Sequence, residues 1–108
     1  MVVKNLGEVE RREVVPGFKG RFIHSAHMTL AYWDIEEGAS LPEHTHVHEQ
    51  ITHLLEGTFT LTIEGNPTIL KPGDVAVIPA DARHSGRALT RCTIVDVFYP
   101  MRKDYLTE

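Results

Sequence analysis

The stretch Pro42-Glu43-His44-Thr45-His46-Val47-His48-Glu49-Gln50 holds three of the seven histidines of this 108-residue chain. Imidazole is the commonest metal-binding side chain, and residues two apart on an extended strand point to the same face. His44 and His46 are therefore spaced to reach one ion; the competing reading is a pair of surface histidines. A second group lies in Cys92-Thr-Ile-Val-Asp-Val-Phe-Tyr-Pro100. There a period of two places Cys92, Ile94, Asp96 and Phe98 on one face, with Thr93, Val95, Val97 and Tyr99 on the other. A carboxylate within such an apolar run costs several kcal/mol unless it is paired, hydrated or near a cation. Asp96 thus either faces a polar cavity or lies in water on an edge strand. Pro100 ends the run, and Arg102 follows closely enough to fold back over the site.

The elements that must carry these groups read as strands. Six prolines and eight glycines interrupt the chain too often for helices of average length. Segments rich in Thr, Val, Ile and aromatics occupy Phe22–Ile23, Met28–Ile35, Gln50–Leu55, Thr58–Ile63, Thr68–Leu70, Asp74–Ile78 and Cys92–Tyr99. Glu64-Gly65-Asn66-Pro67 and Lys71-Pro72-Gly73-Asp74 supply turn chemistry between them. Short strands at this spacing predict an all-β sandwich or closed barrel, a single domain over residues 1–108. The tail from Met101 to Glu108 sets no clear period and receives no assignment.

Composition removes several function classes. A formal charge of −4 offers no basic face to displace counterions from nucleic acid or to bind an anionic membrane. No apolar stretch approaches the roughly 20 residues of a membrane span, and Met1 to Arg12 has no signal-peptide core. The single Cys92 cannot form an internal disulfide and sits in an apolar run, as a buried inert thiol would. The expectation is a soluble, cytoplasmic protein.

The spacing extends beyond the histidine pair. Gly38, His44, His46, Gln50 and Gly57, followed by Gly73, Pro79 and His84, resemble the two signatures of the cupin superfamily, Gly-x5-His-x-His-x3-Glu-x6-Gly and Gly-x5-Pro-x-Gly-x2-His-x3-Asn. Gln50 stands in place of the Glu, Asp81 of the second Gly and Ala88 of the Asn. The resemblance covers Gly38 to Ala88 and implies a cupin (RmlC-like) double-stranded β-helix, or jelly-roll barrel. It also implies one divalent metal ion on His44, His46, Gln50 and His84, the last from a neighbouring strand. A glutamine ligates through its carbonyl oxygen without adding charge, so the ion keeps its full +2 and favours an anionic substrate. Imidazole-rich, thiolate-free ligation suits Ni, Fe, Mn or Zn. The alternative is a metal-free barrel whose histidines line a cavity. His48 and Glu49 are placed in the turn between the ligand-bearing strands. His24, His27 and His53 are read as structural or surface residues, with His27 a candidate for the cavity.

The ending Asp96-Val-Phe98-Tyr-Pro100-Met-Arg102-Lys-Asp104-Tyr105-Leu106, together with His44-Thr-His46-Val-His48-Glu49-Gln50, resembles the small KdgF-like cupins. That resemblance implies a non-redox, isomerase-type enzyme of uronate catabolism, opening the ring of unsaturated uronates from pectin or alginate to keto forms. In it Asp96 moves the proton, Arg102 grips the carboxylate of a sugar-acid substrate by a two-pronged contact, and Phe98 packs the sugar. It further suggests a homodimer formed through strands. Two other functions fit a cupin frame: an iron-dependent dioxygenase, and a non-enzymatic sugar- or small-molecule-binding module. No helix-turn-helix pattern accompanies the barrel.

Overall fold

Alternation of apolar and polar side chains builds ten strands in the computed structural model, which describes residues 1–106. They are β1 (Arg12–Val15), β2 (Phe18–His24), β3 (Thr29–Ile35), β4 (Ser40–His44), β5 (Glu49–Glu56), β6 (Phe59–Ile63), β7 (Asn66–Leu70), β8 (Val75–Ile78), β9 (His84–Ala88) and β10 (Cys92–Tyr99). Six form one sheet in the order β1-β2-β3-β10-β5-β8, and four form a second in the order β4-β9-β6-β7. The pairs are antiparallel. Among the described residues helix is confined to 3-10 turns at Leu6–Glu8 and Lys103–Tyr105, and no helix is long and apolar enough to cross a membrane. This is the all-β architecture expected from the sequence.

The strict alternation in β3 and β10 places Thr29, Ala31, Trp33 and Ile35 inward on one, and Cys92, Ile94, Asp96 and Phe98 inward on the other. Strand β10 runs between β3 and β5, with Asp96 opposite Ala31 on one side and Thr52 on the other. Asp96 is therefore interior to the sheet, which removes the alternative of an edge-strand carboxylate in water.

Three strands carry no clear sequence signal, for physical reasons. Strand β4 contains Pro42, which lacks a ladder donor and is tolerated because β4 is a sheet edge. Strand β9 is inward at His84, Gly86 and Ala88, a polar and small set. Gly86 is required there, because the ring of Phe59 lies where a Cβ would project. Strand β1 is a four-residue edge with its two central residues exposed. The predicted Phe22–Ile23 segment is the centre of the longer β2. Of the predicted turn Glu64 to Pro67, only Glu64 and Gly65 turn the chain, both at positive φ (48° and 78°), as a two-residue hairpin loop requires. Asn66 and Pro67 belong to edge strand β7.

Apolar side chains of both sheets meet between them. Trp33 packs edge-on against Phe18 and Phe22 at ring-centroid distances of 6.1 and 5.3 Å, a favoured aromatic geometry. Phe59 and Leu61 face them from the second sheet. The packing leaves a cavity of about 240 Å³ with Phe18, Ile35 and Leu61 in its apolar wall. Beyond β10 the chain is fastened rather than frayed. The Arg102 amide donates to Thr29 Oγ1 (2.9 Å), Arg12 Nη2 donates to the Tyr105 carbonyl (2.6 Å), and the Tyr105 ring stacks on Phe22 at 4.4 Å. Thr107 and Glu108, the end of the unassigned tail, lie outside the described residues.

Candidate metal centre

His44, the last residue of β4, lies directly opposite His84, the first residue of β9, with ring centroids 4.2 Å apart. His46 falls two residues past the end of β4, in the connection to β5, so the same-face argument for a single strand does not hold. From the connection after β4 its ring lies 4.8 Å from that of His84 instead. One ring nitrogen from each of His44, His46 and His84 falls within 4.8 Å of the others, an arrangement that can hold a metal ion. From the other sheet, Gln50 on β5 is buried and sets Oε1 3.0 Å from His46 Nε2.

The donor chemistry fits a cation. His44 Nδ1 lies 2.8 Å from the Pro42 carbonyl, His46 Nδ1 3.0 Å from the His48 carbonyl, and His84 Nδ1 2.9 Å from the Ala82 carbonyl. A carbonyl only accepts, so each Nδ1 carries the proton and Nε2 is the nitrogen left to face an ion, as in metal-ligating histidines. Burial, with the Arg102 guanidinium and His84 nearby, lowers His46 to a pKa of about 4, so it is neutral at pH 7. Burial also lowers His84. His46 Nε2 and Gln50 Oε1 then hold lone pairs 3.0 Å apart, with no proton between them. A cation between them would satisfy both lone pairs.

Asp96, Phe98 and Arg102 line the same cavity as the histidines. Asp96 is buried, and its oxygens accept from Trp33 Nε1 (2.9 Å) and Thr52 Oγ1 (2.6 Å). Burial raises its pKa, and these hydrogen bonds oppose the rise. Arg102 lies against two aromatic faces, 4.7 Å from the Phe98 centroid and 4.2 Å from that of Tyr105. Its two-pronged contact is already made within the chain: Nε and Nη2 donate to the Asp104 carboxylate at 2.9 and 2.7 Å. That contact holds Asp104 below the usual carboxylate range.

Other histidines sit elsewhere. His27 is exposed in the β2–β3 turn and does not line the cavity, contrary to its candidacy. His24 Nδ1 lies 2.8 Å from Thr29 Oγ1, a structural contact, and His53 is half-buried on β5. His48 occupies the turn as expected, whereas Glu49 is already the first residue of β5. Cys92 is buried, and burial raises its thiol. Sequence reasoning gave no part to Thr52, Trp33 or Asp104, all of which touch the candidate residues. Thr52 had a signal, since it stands two residues after Gln50 and shares its inward face. Trp33 contacts Asp96 only through the pairing of β3 with β10, which no local pattern reveals.

The family model for the cupin domain matches residues 31–98, from β3 to β10. The chain belongs to the cupin family. Among curated relatives, this cupin is 30% identical over 102 residues to the "Pectin degradation protein KdgF" of Dickeya dadantii (strain 3937), covering 92% of this chain and 93% of that one. Among solved structures it is similar to KdgF from Halomonas sp., with a TM-score of 0.87, 30% identity, and 93% and 94% of the two chains covered. An RmlC-like cupin from Shewanella frigidimarina superposes with a TM-score of 0.91 at 23% identity over 95% and 94% of the chains, a likeness of fold.

Proposed function

We propose that this cupin is a metal-dependent enzyme that opens the ring of unsaturated uronate monosaccharides to their open-chain keto forms. The observation that carries the reading is the convergence of Asp96, Phe98 and Arg102 with the three histidines on one cavity. The chain is also 30% identical over 92% of its length to a pectin degradation protein.

His44, His46, His84 and Gln50 would hold the ion, which supplies Lewis acidity toward substrate oxygens and needs no change of oxidation state. Imidazole and amide bring no negative charge to the ion, so the local charge stays positive and suits a sugar acid. In the reaction the anomeric hydroxyl loses its proton as the bond from the anomeric carbon to the ring oxygen breaks. The ring oxygen, released as an enol, becomes a ketone as the far alkene carbon takes up a proton. Atoms and electrons balance as an isomerisation.

Asp96 carries the proton. Burial raises its proton affinity, and Trp33 and Thr52 fix its orientation while each oxygen keeps a lone pair. Arg102 meets the substrate carboxylate. Asp104 uses Nε and Nη2, so the Nη1 side of the guanidinium remains for that contact. Phe98, stacked beneath the guanidinium, packs the sugar.

The test follows loss of the conjugated-alkene absorbance of an unsaturated monouronate, corrected for spontaneous ring opening, on metal-loaded protein. Asp96→Asn should lower kcat by roughly a hundredfold or more, and Arg102→Ala should mainly raise KM, because its contact exists in ground and transition states alike. Unchanged rates in both variants would remove these residues from the chemistry. A wild type that binds such sugars without accelerating their decay would make the protein a sugar-binding module instead.

A further inference from the structure

We infer that Thr52 is a positioning residue of the metal centre: its hydroxyl, held by Asp96, turns the Gln50 amide so that the carbonyl oxygen, not the NH2, faces the histidines. The inference rests on the reading of Gln50 as a ligand. It deepens that reading by naming what makes a neutral glutamine usable there.

With Asp96 as the carboxylate, donors and acceptors along four buried groups leave one consistent arrangement. Trp33 Nε1 can only donate, and its partner is Asp96 Oδ2 at 2.9 Å. Thr52 Oγ1 lies 2.6 Å from Asp96 Oδ1, a short distance typical of a hydroxyl donating to a charged carboxylate. The single hydroxyl proton of Thr52 is thereby committed, and its oxygen can only accept from its other neighbour. That neighbour is the Gln50 side chain, with Nε2 at 2.9 Å. The NH2 end of the amide must face Thr52, and Oε1 is left toward His46, 3.0 Å from Nε2.

An amide is the one ligand type in this set for which such direction matters. Rotated by half a turn it presents two N–H groups to the ion and repels it, whereas an imidazole with its Nδ1 bonded has no such choice. A carboxylate at position 50 would have two equivalent oxygens and no wrong orientation. The need for Thr52 therefore follows from Gln50 being a glutamine. The backbone supports the relay: Thr52 pairs with Asp96 and Gln50 with Phe98 across β5 and β10, so all three polar groups stay on the inward face.

The experiment titrates metal-stripped protein with Co(II), reading affinity and the ligand-field absorption of the bound ion. Thr52→Val keeps the shape but removes the hydroxyl; it should weaken Co(II) binding by about tenfold or more, within the usual range for groups that orient ligands. Thr52→Ser should stay close to wild type. In a Gln50→Glu background, Thr52→Val should cost little, because either carboxylate oxygen can ligate. The metal-free variants are compared by thermal unfolding, so that a folding defect is seen separately. Unchanged affinity in Thr52→Val, or the same loss in the wild-type and Gln50→Glu backgrounds, would overturn the orienting role and leave the metal site standing. A wild type that takes up no Co(II) would overturn the metal reading itself.

Discussion

His44 and His84 face each other across the β4–β9 pair with ring centroids 4.2 Å apart, so the register of two strands sets the spacing of two candidate ligands. His46 is added from the connection that follows β4. Replacing His44 and His46 together by Ala should take metal content from about one ion per chain to none while the barrel stays folded, because neither belongs to the apolar core. Elemental analysis beside circular dichroism checks this; full metal content in the double variant would refute the site.

Gln50→Glu should retain the metal and slow turnover of an anionic substrate. The added charge lowers the Lewis acidity of the ion and repels an incoming carboxylate. Steady-state rates on an unsaturated uronate, with metal content measured in parallel, decide it; an equal or higher rate contradicts the charge argument.

Gly86→Ala should lower stability by about 1–3 kcal/mol, the usual cost of overpacking, since the new methyl meets the Phe59 ring. Combining it with Phe59→Leu should recover part of the loss. Denaturant unfolding of the two variants and wild type gives the comparison, and a fully stable Gly86→Ala would show that the ring yields freely.

Tyr105 is pushed up to about 12, chiefly by burial. The folded chain then keeps a proton that the unfolded chain loses near pH 10, the ordinary tyrosine value. This contribution to stability is complete below about pH 10 and is lost as the pH rises through the folded value. Tyr105→Phe keeps the stacking on Phe22 and should show a shallower alkaline loss. Stability measured stepwise across that interval tests it, and identical slopes would count against a buried hydroxyl.

What the sequence disclosed followed the strength of its local pattern. Strand β10 and its inward set, Cys92, Ile94, Asp96 and Phe98, were readable from period two, and the His44–His46 spacing picked out two of the three clustered histidines, though by a single-strand argument that does not hold. Strand β4 was hidden by Pro42 and its mostly exposed positions, and β9 because its inward positions, His84, Gly86 and Ala88, are polar or small. The Asp104 contact to Arg102 was not legible, since two residues of a tail without period gave no sign that they would pair. The Trp33–Asp96–Thr52–Gln50 chain crosses three strands, and only their register assembles it.

The candidate ligands straddle the sandwich, with His44 and His84 on the four-stranded sheet and Gln50 on the six-stranded one. Six residues along β10 from Phe98, the opposite end is packed with buried apolar side chains, among them Ile35, Leu54 and Cys92. The two ends therefore answer to different agents: a chelator should loosen one, and denaturant the other. Amide exchange should show this as faster opening of β4 and β9 on metal removal, with the Cys92 end of β10 unmoved. An ion held at such a position would act as a clasp between the two layers.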